Sequence, residues 1–217
     1  MPSPLFSRLL ATVAIGFLFT APAARADFVL TIGSGTITAD GNLTLDVMIE
    51  NDDPSESLSY FELFLEITPV AATVGTTLQF AALQSEAFLM DTDYVFALTS
   101  DAIASGGSTV DFNGGNTLTL YDFDEDLNGV PIATSKLLAS FDLSHSLGSA
   151  TAADAAGNQF EVSVNTDDSV FLNEFLEETD WSTNTGSITV GAVAIPEPAS
   201  VALLTILAGG ACLRRRR

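Results

Sequence analysis

Between residues 43 and 50 the chain alternates strictly. Leu43, Leu45, Val47 and Ile49 are interleaved with Thr44, Asp46, Met48 and Glu50. A period of two sends one set to one face of a strand and the other set to the opposite face. Residues 60–67 repeat the pattern, with Phe61, Leu63 and Leu65 facing one way. Residues 28–32, 94–98, 109–112, 117–121, 137–143, 160–164 and 187–190 are further apolar, β-rich runs. Turn formers divide them: Asp40-Gly41-Asn42, residues 51–54, Gly106-Gly107, Asn113-Gly114-Gly115, Asn128-Gly129 and Gly157-Asn158. About nine short strands joined this way predict an all-β fold, an antiparallel β-sandwich with one face of each strand turned into a core between two sheets. Helix is scarce. Residues 83–90 suffice for one or two turns, and residues 168–178 read as a short helix or as a strand with a loop.

The two ends of the chain follow another pattern. At the N-terminus Arg8 precedes an apolar run, residues 9–19, and Ala24-Arg25-Ala26 is a small-x-small cleavage site. These are the parts of a secretory signal peptide, so residues 1–26 are expected to be removed and the mature chain to begin at Asp27. At the C-terminus Pro196-Glu197-Pro198 is followed by fifteen uncharged residues, 199–213, and by Arg214, Arg215, Arg216 and Arg217. As a helix this apolar run is only about 22 Å long, against a bilayer core of about 30 Å. Residues 193–195 and the arginine stems can extend it. The arginines favour the cytoplasmic side, and the prolines stop the helix from running backwards. The sequence therefore predicts a thin transmembrane helix that holds residues 27–193 outside the cytoplasm.

The order Pro-Glu-Pro, apolar run, arginine cluster resembles the PEP-CTERM sorting signal of Gram-negative bacteria. The resemblance covers about residues 195–217. It implies an inner-membrane exosortase as processing partner, with Pro196, Glu197 and Pro198 as the recognition element on the substrate. It also implies export through the Sec machinery and transient anchoring in the inner membrane. Within the body, residues 30–51 followed by 58–69, and residues 136–143 followed by 160–164, resemble a cohesin-like sandwich. Cellulose-binding and jelly-roll-like sandwiches look alike at this level. The likeness implies a fold and no particular ligand.

The body is extremely acidic. Residues 27–195 hold 27 of the 28 acidic residues against a single base, Lys136, for a formal net charge of −26. Such a surface repels nucleic acid, which needs a basic footprint, and anionic lipid headgroups. It favours divalent cations, salt or cationic partners. The only cysteine, Cys212, lies in the tail, so the body has no intrachain disulfide.

Few residues suggest chemistry. Asp124, Asp126 and Asn128, with Gly129 next, match the first half of a D-x-D-x-N-G calcium loop, which makes calcium the candidate cofactor. The position of the bidentate glutamate is taken by Ser135, and the alternative is an acidic hairpin turn at Asn128-Gly129. His145 is the only histidine and is expected in a loop after a strand. The body lacks arginine for phosphate or carboxylate substrates. Trp181, Tyr60, Tyr94 and Tyr121 are candidates either for stacking on a sugar or for the core. The expected protein is thus a non-enzymatic component of the cell surface or extracellular matrix. The alternative is a calcium-dependent carbohydrate-binding or adhesion module, with extracellular polysaccharide as partner.

Overall fold

A computed structural model describes residues 28–51 and 56–192. The signal-cleavage residues Ala24 and Ala26, the Pro196-Glu197-Pro198 motif, the terminal arginines and both predicted terminal helices lie outside the described residues. Among the described residues no helix is long and apolar enough to cross a membrane.

The body is an all-β sandwich, with fourteen short strands among the described residues. The smaller sheet has the order β13 (Trp181–Asn184), β1 (Phe28–Ile32), β3 (Asn42–Asn51), β10 (Lys136–Ser146) and β6 (Thr77–Phe80). The larger has the order β2 (Gly35–Thr38), β14 (Gly186–Gly191), β11 (Gln159–Val164), β5 (Tyr60–Ala71), β8 (Thr117–Phe123) and β7 (Val110–Gly114), with β12 (Val170–Leu172) also paired to β5. A two-residue ladder joins β4 (Ser57–Leu58) to β9 (Val130–Pro131). The alternation read in the sequence decides which side chains are inside. Leu45, Val47 and Ile49 of β3 are buried, as are Phe61, Leu63 and Leu65 of β5. Between the sheets they meet Leu118 and Leu120 of β8, Phe141 and Leu143 of β10, and Phe160 and Val162 of β11.

The sandwich is not wholly antiparallel. β1 runs parallel to β13, and β2 runs parallel to β14. The reason is a shared corner. The first strand leaves the smaller sheet at Gly33-Ser34 and enters the larger one as β2, and the last strand makes the same crossing between Asn184 and Gly186. The two run side by side in the same direction on both sides of the corner. Gly186 permits the close approach: a Cβ there would press into the Gly33 carbonyl oxygen. The Ser187 N–H donates to Ser34 Oγ at 2.9 Å. Because the terminal strands are parallel, Phe28 and Gly191 lie at opposite ends of the sandwich, here the first and last poles.

Other elements differ from the sequence reading. Residues 94–98 form turns rather than a strand, pinned by the Val95 N–H to the Leu137 carbonyl at 2.8 Å. A short helix follows, α1 (Asp101–Ser105), capped by Ser100 Oγ accepting from the Ile103 N–H. Residues 87–90 make one 3-10 turn. β12 shows that residues 168–178 are a strand with a loop. Strands β2, β4, β6, β9 and β13 are too short to show a period in the sequence.

Candidate functional site

The outer face of the larger sheet carries a patch of aromatic and apolar side chains at the start of β5 and the end of β8, toward the first pole. Positions alternating with the buried Phe61 and Leu63 place Tyr60, Glu62 and Phe64 on the outward side of β5. Cross-strand register sets Tyr60 opposite Phe123 of β8 on one side and Leu172 of β12 on the other. Glu62 stands between Tyr121 and Val170 in the next row. Phe64 stands opposite Thr119, which faces Asp111 of β7. Three strands and three rows give a platform of roughly 10 by 13 Å. Tyr121 is 36% exposed, and Tyr60, Glu62, Phe64, Phe123, Val170 and Leu172 are half-buried.

Glu62 sits among the aromatic side chains, with Asp111 beside the third row and Glu66 one row on. The Tyr60 hydroxyl donates to Glu62 Oε2 at 2.9 Å. Burial first, then the hydrogen bond to Glu62 and its charge, push the Tyr60 phenol up to about 12. The pair thus offers neutral phenol beside a carboxylate. Glu66, one row on, accepts from Asn165 Nδ2 at 3.2 Å. A flat face of this kind offers ring surfaces for stacking and, at Glu62, a hydrogen-bond acceptor.

The tyrosines divide by role. Tyr94 is 1% exposed and belongs to the core, edge-on to Phe88 and Phe96. Its hydroxyl donates to Asp122 Oδ2 at 2.6 Å. Burial and then the Asp122 charge raise its phenol far above the ordinary range. Trp181 packs against Phe171 at 5.1 Å between ring centres and supports the seam between β1 and β13. Of the four aromatics singled out in the sequence, only Tyr60 and Tyr121 share an outward face. Phe64 and Phe123, which sequence reasoning missed, complete it. Their signal was present, since each occupies the alternate position to buried residues of its strand.

The predicted calcium residues are separated by exposure. Asp124 is 2% exposed, and its Oδ2 accepts the Asn128 and Gly129 N–H groups, both at 3.0 Å. Asp126 and Asn128 are exposed. Among the described residues no group of three or more His, Cys, Asp or Glu side chains is placed to hold a metal. Asp124 therefore closes the turn from inside. Asp122, two residues earlier and also 2% exposed, accepts from Tyr94, from Ser100 Oγ at 2.5 Å, and from the Ala102 and Phe123 N–H groups.

His145 is not in a loop. It sits in β10, 4% exposed, edge-on to Phe160. Its Nδ1 accepts the Asp40 N–H at 3.4 Å, and Nε2 has no partner among the described residues. Burial lowers its pKa below 6.5, and the Asp40 charge opposes that shift. Its ring packs edge-on to Phe160, with Asp40 as the neighbouring acid.

A second apolar surface lies beside α1, a depression of about 330 Å³ lined by Met90, Asp91, Thr92, Ala97, Leu98 and Ile103. Leu98 is 97% exposed.

Comparison with known proteins bears on the fold alone. Neither a family model nor a curated protein sequence matches the chain. Among solved structures, a complex of a CaDoc0917 variant with CaCohA2, the latter from Clostridium acetobutylicum, is similar over 75% of this chain and 99% of that one, with 14% identity and a TM-score of 0.50. The third cohesin of ScaC from Acetivibrio cellulolyticus matches over 76% of this chain and 99% of that one, at 17% identity and a TM-score of 0.49. A non-cellulosomal cohesin from the archaeon Archaeoglobus fulgidus matches over 81% and 96%, at 12% identity and a TM-score of 0.46. The body has a cohesin-like β-sandwich fold.

Proposed function

We propose that this protein is a non-enzymatic recognition module of the cell surface or extracellular matrix. It binds a protein partner through the outer face of its larger sheet. The observation that carries this reading is the uncovered platform of Tyr60, Phe64, Tyr121 and Phe123 around Glu62. A carboxylate among aromatics, with Asp111 and Glu66 at the margin and a body of formal charge −26, suits a partner that offers a basic side chain flanked by apolar ones. The fold agrees, since CaCohA2 was solved in complex with a protein partner, CaDoc0917. The decisive test is a photo-crosslinking residue in place of Tyr121, compared with one in place of Thr31 on the outer face of the smaller sheet. A discrete protein adduct from position 121 alone supports the reading. Equal labelling from both positions contradicts it.

A second reading has its own observation. Tyr121 stands opposite Glu62 and Tyr60 lies in the next row, an arrangement that also suits stacking on sugar rings with a carboxylate for their hydroxyls. Retention on extracellular polysaccharide, lost in a Tyr60→Ala, Tyr121→Ala double variant, would select this reading over the protein partner.

Delivery rests on the ends of the chain. The signal segment and the Pro196-Glu197-Pro198 tail direct export, transient inner-membrane anchoring and cutting by an exosortase. The mass of the mature protein in the native cell tests this. A Glu197→Ala change should retain the uncut, membrane-bound form, whereas unchanged size and location would exclude the sorting role.

A further inference from the structure

The turn between β2 and β3 hangs on a side chain that titrates. The Asp40 N–H donates to His145 Nδ1 at 3.4 Å. Asp40 Oδ1 accepts the Leu147 N–H at 2.8 Å, and the His145 N–H donates to the Gly41 carbonyl at 2.9 Å. The Gly41 N–H closes the turn on the Thr38 carbonyl, also at 2.9 Å. Asp40 is held at a left-handed φ of 54°, which costs a non-glycine residue backbone energy. Thr38 in turn pairs with Gly191. The same turn therefore fastens the end of β14, where the chain leaves the sandwich toward Pro196.

Only one form of the imidazole fits these bonds. Because Nδ1 accepts, the neutral ring carries its proton on Nε2. Nε2 is buried with no partner, so the neutral ring is held at the cost of an unsatisfied donor. A second proton, on Nδ1, turns the acceptor into a donor facing the Asp40 N–H and breaks that bond. The imidazolium instead attracts the Asp40 carboxylate, which Leu147 now occupies. The elements around the ring offer no other countercharge. β6 sets Leu78 opposite His145 and holds no titratable residue, and neither does β2. β11 contributes the Phe160 ring, and its Glu161 alternates to the outer side of the sheet. On β10 itself Asp142 is engaged by Thr44 and by the Ser85 N–H.

We propose that His145 is an acid-released latch: its protonation frees the turn at residues 38–41 and opens the last pole locally, loosening the ends of β2 and β14. The opening stays local because β2 is a four-residue strand at the edge of the larger sheet, so that freeing its end breaks few contacts. Burial disfavours the charged ring in the closed state, so the latch holds above pH 6.5 and is released as pH falls below it. The device is independent of the recognition platform, which lies toward the first pole.

The test is hydrogen exchange of the full chain at pH 7.5 and pH 5.5, with rates corrected for the intrinsic pH dependence of amide exchange. One proton taken up on opening should raise the opening of residues 38–42 and 144–147 about tenfold over this range. At both pH values β5 should stay far better protected than the turn. His145→Gln should open the turn equally at the two pH values. If His145→Gln does not fold, an NMR titration of the unmodified chain decides: the Asp40 and Gly41 amide signals should shift with the midpoint of the His145 ring. A ring that titrates while those two signals stay still would overturn the proposal. An equal acid response in His145→Gln would overturn it too. So would a turn no less protected than β5 at pH 5.5, since the proton would then enter only by unfolding of the whole sandwich.

Discussion

Single side chains here are set by what surrounds them. His145 is buried and neutral, so the unfolded chain binds a proton that the folded chain refuses. Its contribution to stability is complete above pH 6.5 and is lost as pH falls from there toward its lowered folded pKa. Urea unfolding between pH 7.5 and pH 5.5 should therefore show a steeper loss for the unmodified protein than for His145→Gln. Parallel curves would contradict the burial argument. Tyr60 tests the platform in a similar way. Glu62→Gln removes the neighbouring charge, so the phenolate absorbance of Tyr60 should appear at lower pH than about 12. An unchanged midpoint would mean that burial alone sets it. In the core, Tyr94→Phe deprives Asp122 of one donor and should cost about 1–3 kcal/mol in denaturant unfolding. The sequence showed that Tyr60 faces away from Phe61, but held no sign that Phe123 stands opposite it. That pairing depends on the register between strands about sixty residues apart, which local periodicity does not encode.

At the scale of elements, the clearest alternating runs became strands. β3, β5, β11 and β14 lie where apolar residues alternate. Residues 94–98 are as apolar as these, yet they form turns, with Tyr94, Val95 and Phe96 all buried and the Val95 N–H donating to the Leu137 carbonyl. The parallel edge pairs were not legible either, since nothing in residues 28–38 signals that the chain changes sheets at Gly33. The corner itself makes a prediction. In Gly186→Ala the new Cβ would collide with the Gly33 carbonyl oxygen and meet Ile32 Cγ2 at 2.6 Å, both within packed structure. The variant should lose about 1–3 kcal/mol or more in denaturant unfolding. Hydrogen exchange should speed up in β1 and β13 before it does in β5. A neutral result would mean that the corner is looser than its contacts imply.

For the whole molecule, orientation and surface combine into one picture. The terminal strands run parallel, so the chain enters at the pole of Phe28 and leaves for the tail at the pole of Gly191. The proposed platform lies on the flank of the sandwich, toward the first pole, where Tyr60 and Phe123 sit near the ends of their strands. The platform and Gly191 thus lie toward opposite ends of the sandwich. The acidic charge disfavours nucleic acid and anionic lipid as partners of such a body. The most direct measurement is hydroxyl-radical footprinting of the protein in its native cellular setting, compared with the purified protein. Tyr121 and Phe123 should be protected in the native setting. Leu83 and Val74, 90% and 95% exposed on other surfaces, should react equally in both states. Protection of Leu83 and Val74 with Tyr121 unchanged would contradict recognition through the larger sheet.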